Sequence, residues 1–274
     1  MHDALTASYK KTLVSYVDIL GFSAMIEKSR KDPAEIANLR DRLTAMRRVA
    51  FENSEHRNSS GERIKVVFDS FSFSDLVVRC TGIGDELPWF ILLNAELHYL
   101  ATRQISLAAE GVLIRGGISM GDLFINPEKT TVFGPAFVRS YELESEQAIY
   151  PRIVVDRELV FEAKKENAWP LLRDLLLHGE DGTYFLDYLS GTLATKWDPP
   201  MNQAAREVLI GGHRRTIETN IRNNAKNKDE RFKQKYRWLA LYHNEVVKKL
   251  VDRPDAEQFS NAPELLISED CLTF

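Results

Sequence analysis

The apolar positions of this 274-residue chain alternate between strand and helix periods. Residues 12 to 19 are rich in Val, Ile and Tyr and read as a buried strand, interrupted by one acid, Asp18. Gly21, Phe22 and Ser23 follow and lead into a helical pattern. From 33 to 56 the period is helical, with Pro33 in the first turn behind Asp32 and a stripe of Leu39, Leu43, Met46 and Val49. The polar segment from His56 to Glu62, with Ser59-Ser60-Gly61, signals a turn. Two alternating arms, Arg63 to Asp69 and Phe71 to Val78, then predict a hairpin, in which Asp69-Ser70 either bends the chain or continues the strand. Trp89 to Ala109 reads as a helix with Leu92, Leu93, Leu97 and Leu100 inward.

The stretch from Val112 to Asp122 predicts a strand, and its paired Gly116-Gly117 imply close approach of another backbone or a ligand. Asn126-Pro127 turns the chain, a helix is expected over 136–147, and Arg152 to Asp156 is the next strand. This β-α-β-β-α-β order gives an α+β, ferredoxin-like fold, an antiparallel sheet with helices on one face and with Asp18 and Asp75 on adjacent central strands. The pattern loosens after Asp156: a helix near 169–177, a short strand pair around 183–189, and a breaker at Trp197-Asp198-Pro199-Pro200. Two helices, 202–227 and 229–252, follow, and Trp238, Leu241, Tyr242, Val246 and Leu250 form a packing stripe on the second. The tail is expected to dock through Leu265-Leu266-Ile267. The division expected is a core over 1–160 and a mainly helical extension over 161–274.

A 44% hydrophobic content is enough for a substantial core, and no apolar run approaches the roughly 20 residues of a membrane helix. The N-terminus has neither a basic nor an apolar leader region, so a cytoplasmic protein without a membrane span is expected. Cys80 and Cys271 have no metal-ligand spacing and read as plain thiols. A formal charge of −4 argues against nucleic-acid binding. The stretch from Arg214 to Arg237 holds nine basic and three acidic residues and reads as a solvated helix face.

Chemistry enters with the two acids. A strand ending in Asp18, then a glycine turn and a helix start, sets a metal-holding carboxylate beside backbone N–H groups that can receive phosphate oxygens. A second acid, Asp75, on a neighbouring strand supplies the minimum for clamping a pair of divalent cations. Together they point to phosphoryl or nucleotidyl transfer. The structural alternative makes Asp18 a helix cap and Asp75 a solvent-facing strand residue.

Four segments, Asp18-Ile19-Leu20-Gly21-Phe22, Ser74-Asp75, Leu113 to Gly121 and Phe133-Gly134-Pro135-Ala136, resemble the motifs of class III nucleotidyl cyclases in the same order. The whole chain most resembles the bacterial pyrimidine cyclases of the Pycsar antiphage systems, through Tyr141 to Glu144 and Lys235 to Asn244 as well. The resemblance implies that UTP or CTP is converted to cyclic UMP or cyclic CMP, which acts on a separate effector. It implies two Mn²⁺ or Mg²⁺ ions held by Asp18, Asp75 and the backbone carbonyl of Ile19, an oxygen-only set that suits hard cations. Leu20, Gly21, Phe22 and Ser23 would offer N–H groups to the β and γ phosphates. A homodimer with shared sites is implied too.

The chain departs from that family at the positions of its transition-state Asn and Arg, which fall on Val138 and Glu142. Arg139 from a shifted register, or Arg115 from its strand, are the candidate replacements, and a structural salt bridge is the alternative for each. The purine-reading Lys and Asp fall on Asp69 and Thr131, short polar groups compatible with either pyrimidine. Asp69 reads equally well as a turn residue. The missing Asn/Arg pair also leaves open a catalytically silent nucleotide-binding module.

Overall fold

The computed structural model describes residues 8–50, 54–57, 63–190, 203–224, 228–251 and 262–271. The fold is α+β and divides into two compact units, Met1–Leu100 with Ile114–Leu186, and Ala101–Leu113 with Asp187–Phe274. Among the described residues no helix is long and apolar enough to cross a membrane.

The first unit is built on β1 (Lys10–Ile19), flanked by β5 (Leu76–Gly82) and β6 (Ile114–Ile125), both antiparallel to it. Outside these lie β4 (Asp69–Phe73) on one side and β8 (Ile153–Val155), β10 (Tyr184–Leu186) and β9 (Leu176–His178) on the other, with β7 (Val132–Phe133) paired to β6. The β6–β8 pair is parallel, which amends the all-antiparallel expectation. A separate ribbon joins β2 (Ser54–Arg57) to β3 (Arg63–Val66).

Alternation sends Val14, Tyr16 and Asp18 of β1 to one face and Leu13, Ser15 and Val17 to the other. Both faces are covered, and this is why the strand reads as a mostly apolar run rather than an alternating one. On the odd face Arg79, paired in register with Ser15, donates to Glu96 of α3 (Trp89–Ala109). Tyr99 of α3 donates to the carbonyl of Val49, just beyond α2 (Ala34–Arg47). On the even face Ser119, opposite Val14, donates to the Ala136 carbonyl of α4 (Pro135–Glu142) at 2.7 Å. Helices α2 and α3 therefore share one face, while α4 covers the other, which amends the expectation of helices on one face only.

Gly117 makes that second layer possible. A Cβ there would stand 2.2 Å from the Ser140 carbonyl oxygen and 2.6 Å from Leu143 Cβ. The paired glycines thus serve backbone approach. The helix widens after Glu142 into a π turn, Leu143–Gln147.

Several boundaries differ from the periodicity. The helix expected over 33–56 ends at Arg47, after a separate α1 (Phe22–Lys31). The hairpin runs from β4 to β5 and turns at Ser74-Asp75, where Ser74 takes a φ of 57°. Asp69 and Ser70 are strand residues, so the turn reading of Asp69 is overturned, and Asp75 sits in the turn itself. Asp156 caps α5 (Arg157–Lys165), a helix the pattern did not reveal. The helix expected near 169–177 is short, α6 (Trp169–Leu172), and runs into β9. Trp197 to Pro200 lie outside the described residues.

The second unit contains α7 (Gln203–Asn223), α8 (Glu230–Val251) and the last turns of α3. Ile267 is buried and its amide and carbonyl bond both ends of the Asn244 amide, so the tail docks as expected. Leu241 is half exposed and leaves the packing stripe. A hydrogen-bonded chain crosses its interior. His243 Nε2 faces the Leu265 carbonyl at 2.8 Å and must donate, so its Nδ1 accepts from His213 Nδ1 at 2.9 Å. His213 Nε2 then accepts from Tyr188 at 2.7 Å, and both rings are neutral. Burial pushes His243 down to about 4. Cys80 and Cys271 are free thiols, as read. Within the basic stretch, Glu218 pairs with Arg214 and Arg222.

Candidate active site

Asp18 is the penultimate residue of β1, facing Arg115 across the β1–β6 ladder. The β1–β5 ladder ends at the pair Val17 and Val77, so Asp18 and Asp75 lie one and two residues beyond it, at the same end of the sheet. The two acids are therefore brought together, though one is on a strand and the other in a turn.

Arg115 reaches Asp18 with Nε at 3.2 Å and a terminal nitrogen at 3.3 Å. The same terminal nitrogen meets Glu144 Oε1 at 2.5 Å. Glu144, presented by the π turn, is only 3% exposed, against 18% for Asp18 and 24% for Arg115. It is a site residue that sequence reasoning included only within the Tyr141–Glu144 similarity, without a role. Burial first, then the charge of Asp18, raise Glu144 to about 7 against the pull of Arg115. Asp75 is also raised, chiefly by burial and further by Asp18. Tyr16, two residues before Asp18 on the same face, is pushed to about 12 by burial, then by Glu144 and Asp18. Its ring packs edge-on against Phe137 and Tyr141.

Three carboxylates thus gather around one guanidinium among the described residues, and two of them are raised, by burial first and by the charge of Asp18 after it. No three of His, Cys, Asp and Glu stand close enough among the described residues to hold a metal unaided. The donor set nevertheless fits a hard divalent ion that takes one or two carboxylates and fills its remaining positions from substrate phosphates. The oxygens of Asp18, Asp75 and the Ile19 carbonyl are of that type.

Gly21 adopts a φ of 79° and directly precedes α1, a conformation that glycine adopts without strain. Leu20 is buried, whereas Gly21 and Ser23 are exposed and Phe22 is half-buried. The first turn of a helix has amides without intrahelical partners, and here the helix's own bonds begin with the amides of Ala24 and Met25, both to the Gly21 carbonyl.

The remaining candidates form two other groups. Arg139 donates to Asp156 from Nε at 2.7 Å and from a terminal nitrogen at 3.2 Å, and Glu142 lies 3.5 Å away. That is the salt-bridge alternative, fixing α4 to the cap of α5. Asp69 is in register with Cys80, itself opposite Val14, four residues up β1 from Asp18, roughly 13 Å at the rise of a strand. An ion pair joins Asp69 to Lys129 in the β6–β7 turn. The Thr131 amide is fixed in that turn by Asn126 Oδ1 at 2.7 Å. Asp69 and the Thr131 turn are thus linked through Lys129, which sequence reasoning missed.

No protein-family model and no curated protein matches the chain. Among solved structures, the crystal structure of the adenylyl cyclase CyaB from P. aeruginosa is similar, at 16% identity and a TM-score of 0.44. The match covers 66% of this chain and 96% of that one.

Proposed function

We propose that the chain is a metal-dependent pyrimidine nucleotide cyclase that converts UTP, or alternatively CTP, to the 3′,5′-cyclic monophosphate and pyrophosphate. The observation that carries this reading is that Asp18, four residues before α1, shares the guanidinium of Arg115 with Glu144 and lies close enough to Asp75 to raise it. Acids at that density need a further cation, and the helix start beside them suits a triphosphate.

In this reading Asp18, Asp75 and the Ile19 carbonyl hold two Mn²⁺ or Mg²⁺ ions. Those ions would lower the pKa of the ribose 3′ hydroxyl and neutralise charge on the triphosphate. Leu20 to Ser23 orient the β and γ phosphates through backbone N–H groups. Arg115 supplies positive charge beside the reacting α-phosphate, the part that Arg139 cannot take while Asp156 holds it. Asp69 and Thr131 face the base, in a site completed by a second copy of the chain. The cyclic product would serve as a cytoplasmic antiphage signal read by a separate effector.

A second reading, a silent nucleotide-binding module, draws support from Arg139 being tied to Asp156 and Arg115 to Asp18. Incubation with ATP, GTP, CTP and UTP plus Mn²⁺, followed by chromatography against cyclic standards, separates the two. A cyclic pyrimidine product is expected. A cyclic purine would overturn the base choice, and no product from folded protein with Mn²⁺ or Mg²⁺ would favour the silent module.

A further inference from the structure

We propose that Glu144 is a positioning residue that draws Arg115 off Asp18 when a divalent cation arrives, so that one guanidinium neutralises the empty site and remains beside the loaded one. The inference rests on Asp18 being a metal ligand.

The geometry favours such an exchange. Arg115 bonds Asp18 at 3.2 and 3.3 Å, longer than the roughly 2.7–2.9 Å of strong charge-assisted bonds. One of its terminal nitrogens also lies 2.5 Å from Glu144 Oε1 without making a hydrogen bond to it, so the second acid is already within ion-pair range and has an oxygen free to accept. Asp18 has both oxygens engaged by Arg115, and a cation must displace that contact to reach it. A doubly charged ion attracts a carboxylate about twice as strongly as a guanidinium at equal distance. The displaced Arg115 would be stranded in a partly buried place unless another acid held it, and an uncompensated charge there is strongly unfavourable. Glu144 is that acid, and it does not drift: the π turn carrying it packs on Gly117, with Leu143 buried beside it.

The same arrangement explains why two acids serve one arginine. With Asp18 alone, Arg115 would compete with the metal as a full ion-pair partner. With Glu144 present, the competition is weakened without the arginine leaving.

Mn²⁺ binding to the full chain without nucleotide, read from the electron paramagnetic resonance signal of free Mn²⁺, tests this in a double-mutant cycle of Glu144→Gln and Arg115→Met. With Arg115 present, Glu144→Gln is expected to weaken Mn²⁺ binding about tenfold, since coupled charges typically interact by 0.5–3 kcal/mol. In the Arg115→Met background the same substitution should change affinity less than about twofold, an interaction that direct attraction by Glu144 would not produce. Equal weakening in both backgrounds would overturn the proposal, making Glu144 a ligand or a plain attractive charge. No effect of Glu144→Gln with Arg115 present would overturn it too. Wild-type protein that binds no Mn²⁺ while folded would remove the metal reading as well as this inference. If either variant loses its circular dichroism, Arg115→Gln and Glu144→Met complete the same cycle.

Discussion

Two arginines on neighbours of the same central strand end on opposite faces of the sheet, in opposite circumstances. Arg79 of β5 meets one carboxylate, Glu96, with Nε and a terminal nitrogen both at 2.9 Å, and donates its other terminal nitrogen to the Val49 carbonyl. Both side chains are 0% exposed, and the guanidinium lies over the rings of Phe68 and Tyr99. Arg115 of β6 meets two carboxylates, with a third at the adjacent turn, in a place open to solvent. The first cluster is balanced and sealed, so it holds α3 and the end of α2 to the sheet. The second has more carboxylates than guanidinium groups, and Asp18 and Arg115 are partly exposed. Burial of a charge is thus no sign of function by itself.

The sharpest way to break this contrast is to remove one acid from each. Glu96→Ala leaves Arg79 buried and unpaired and is expected to cost about 3–5 kcal/mol in urea denaturation. Asp75→Ala is expected to leave the urea midpoint unchanged or higher, because it relieves repulsion, while lowering cyclase turnover on the order of a hundredfold or more. Equal losses of stability in the two variants would erase the distinction.

Gly117→Ala tests whether close packing delivers Glu144. Its Cβ would meet backbone at 2.2 Å, and overpacking of this kind is expected to cost about 1–3 kcal/mol in the same denaturation. The smallest expected effect is on pH dependence. In metal-free protein Glu144 keeps its proton up to about 7, whereas an ordinary Glu gives it up near 4.5. Its contribution is therefore fully present below 4.5 and lost as pH rises through 7. The second unit runs the other way: His243, lowered to about 4, withdraws stability as pH falls from 6.5 toward 4. Urea midpoints should be nearly alike for wild type and Glu144→Gln at pH 5, with the wild type falling behind at pH 8, because Gln stands in for the protonated carboxyl at both.

Much of this was legible from local pattern. The strand bearing Asp18 read correctly because both of its faces are buried, and the helix bearing Leu93, Leu97 and Leu100 because it buries one repeating face. The hairpin turn was misplaced because Asp69-Ser70 has good turn chemistry, whereas the true turn puts Ser74 at a positive φ. The cross-strand pairs Phe71 with Val78 and Phe73 with Leu76 carried the better signal, since they fix a two-residue turn. Asp18 is legible as a lone acid ending an apolar strand before a glycine turn, and Asp75 as a second acid in the following hairpin. Glu144 had no assigned role, because a π turn shifts the helix face and hydrophobic spacing does not reveal it. Arg139 with Asp156, and Lys129 with Asp69, are joined by tertiary packing across 17 and 60 residues, beyond the reach of local periodicity.

The central claim is that the Asp18 cluster uses bound metal to close a ribose onto its own α-phosphate. Its most direct test is the ratio of pyrophosphate to 3′,5′-cyclic product formed from UTP or CTP with Mn²⁺, measured for wild type and Asp18→Asn. The account predicts one pyrophosphate per cyclic molecule in wild type and loss of both in the folded variant. Pyrophosphate release without a cyclic product, or undiminished cyclisation by Asp18→Asn, would contradict it.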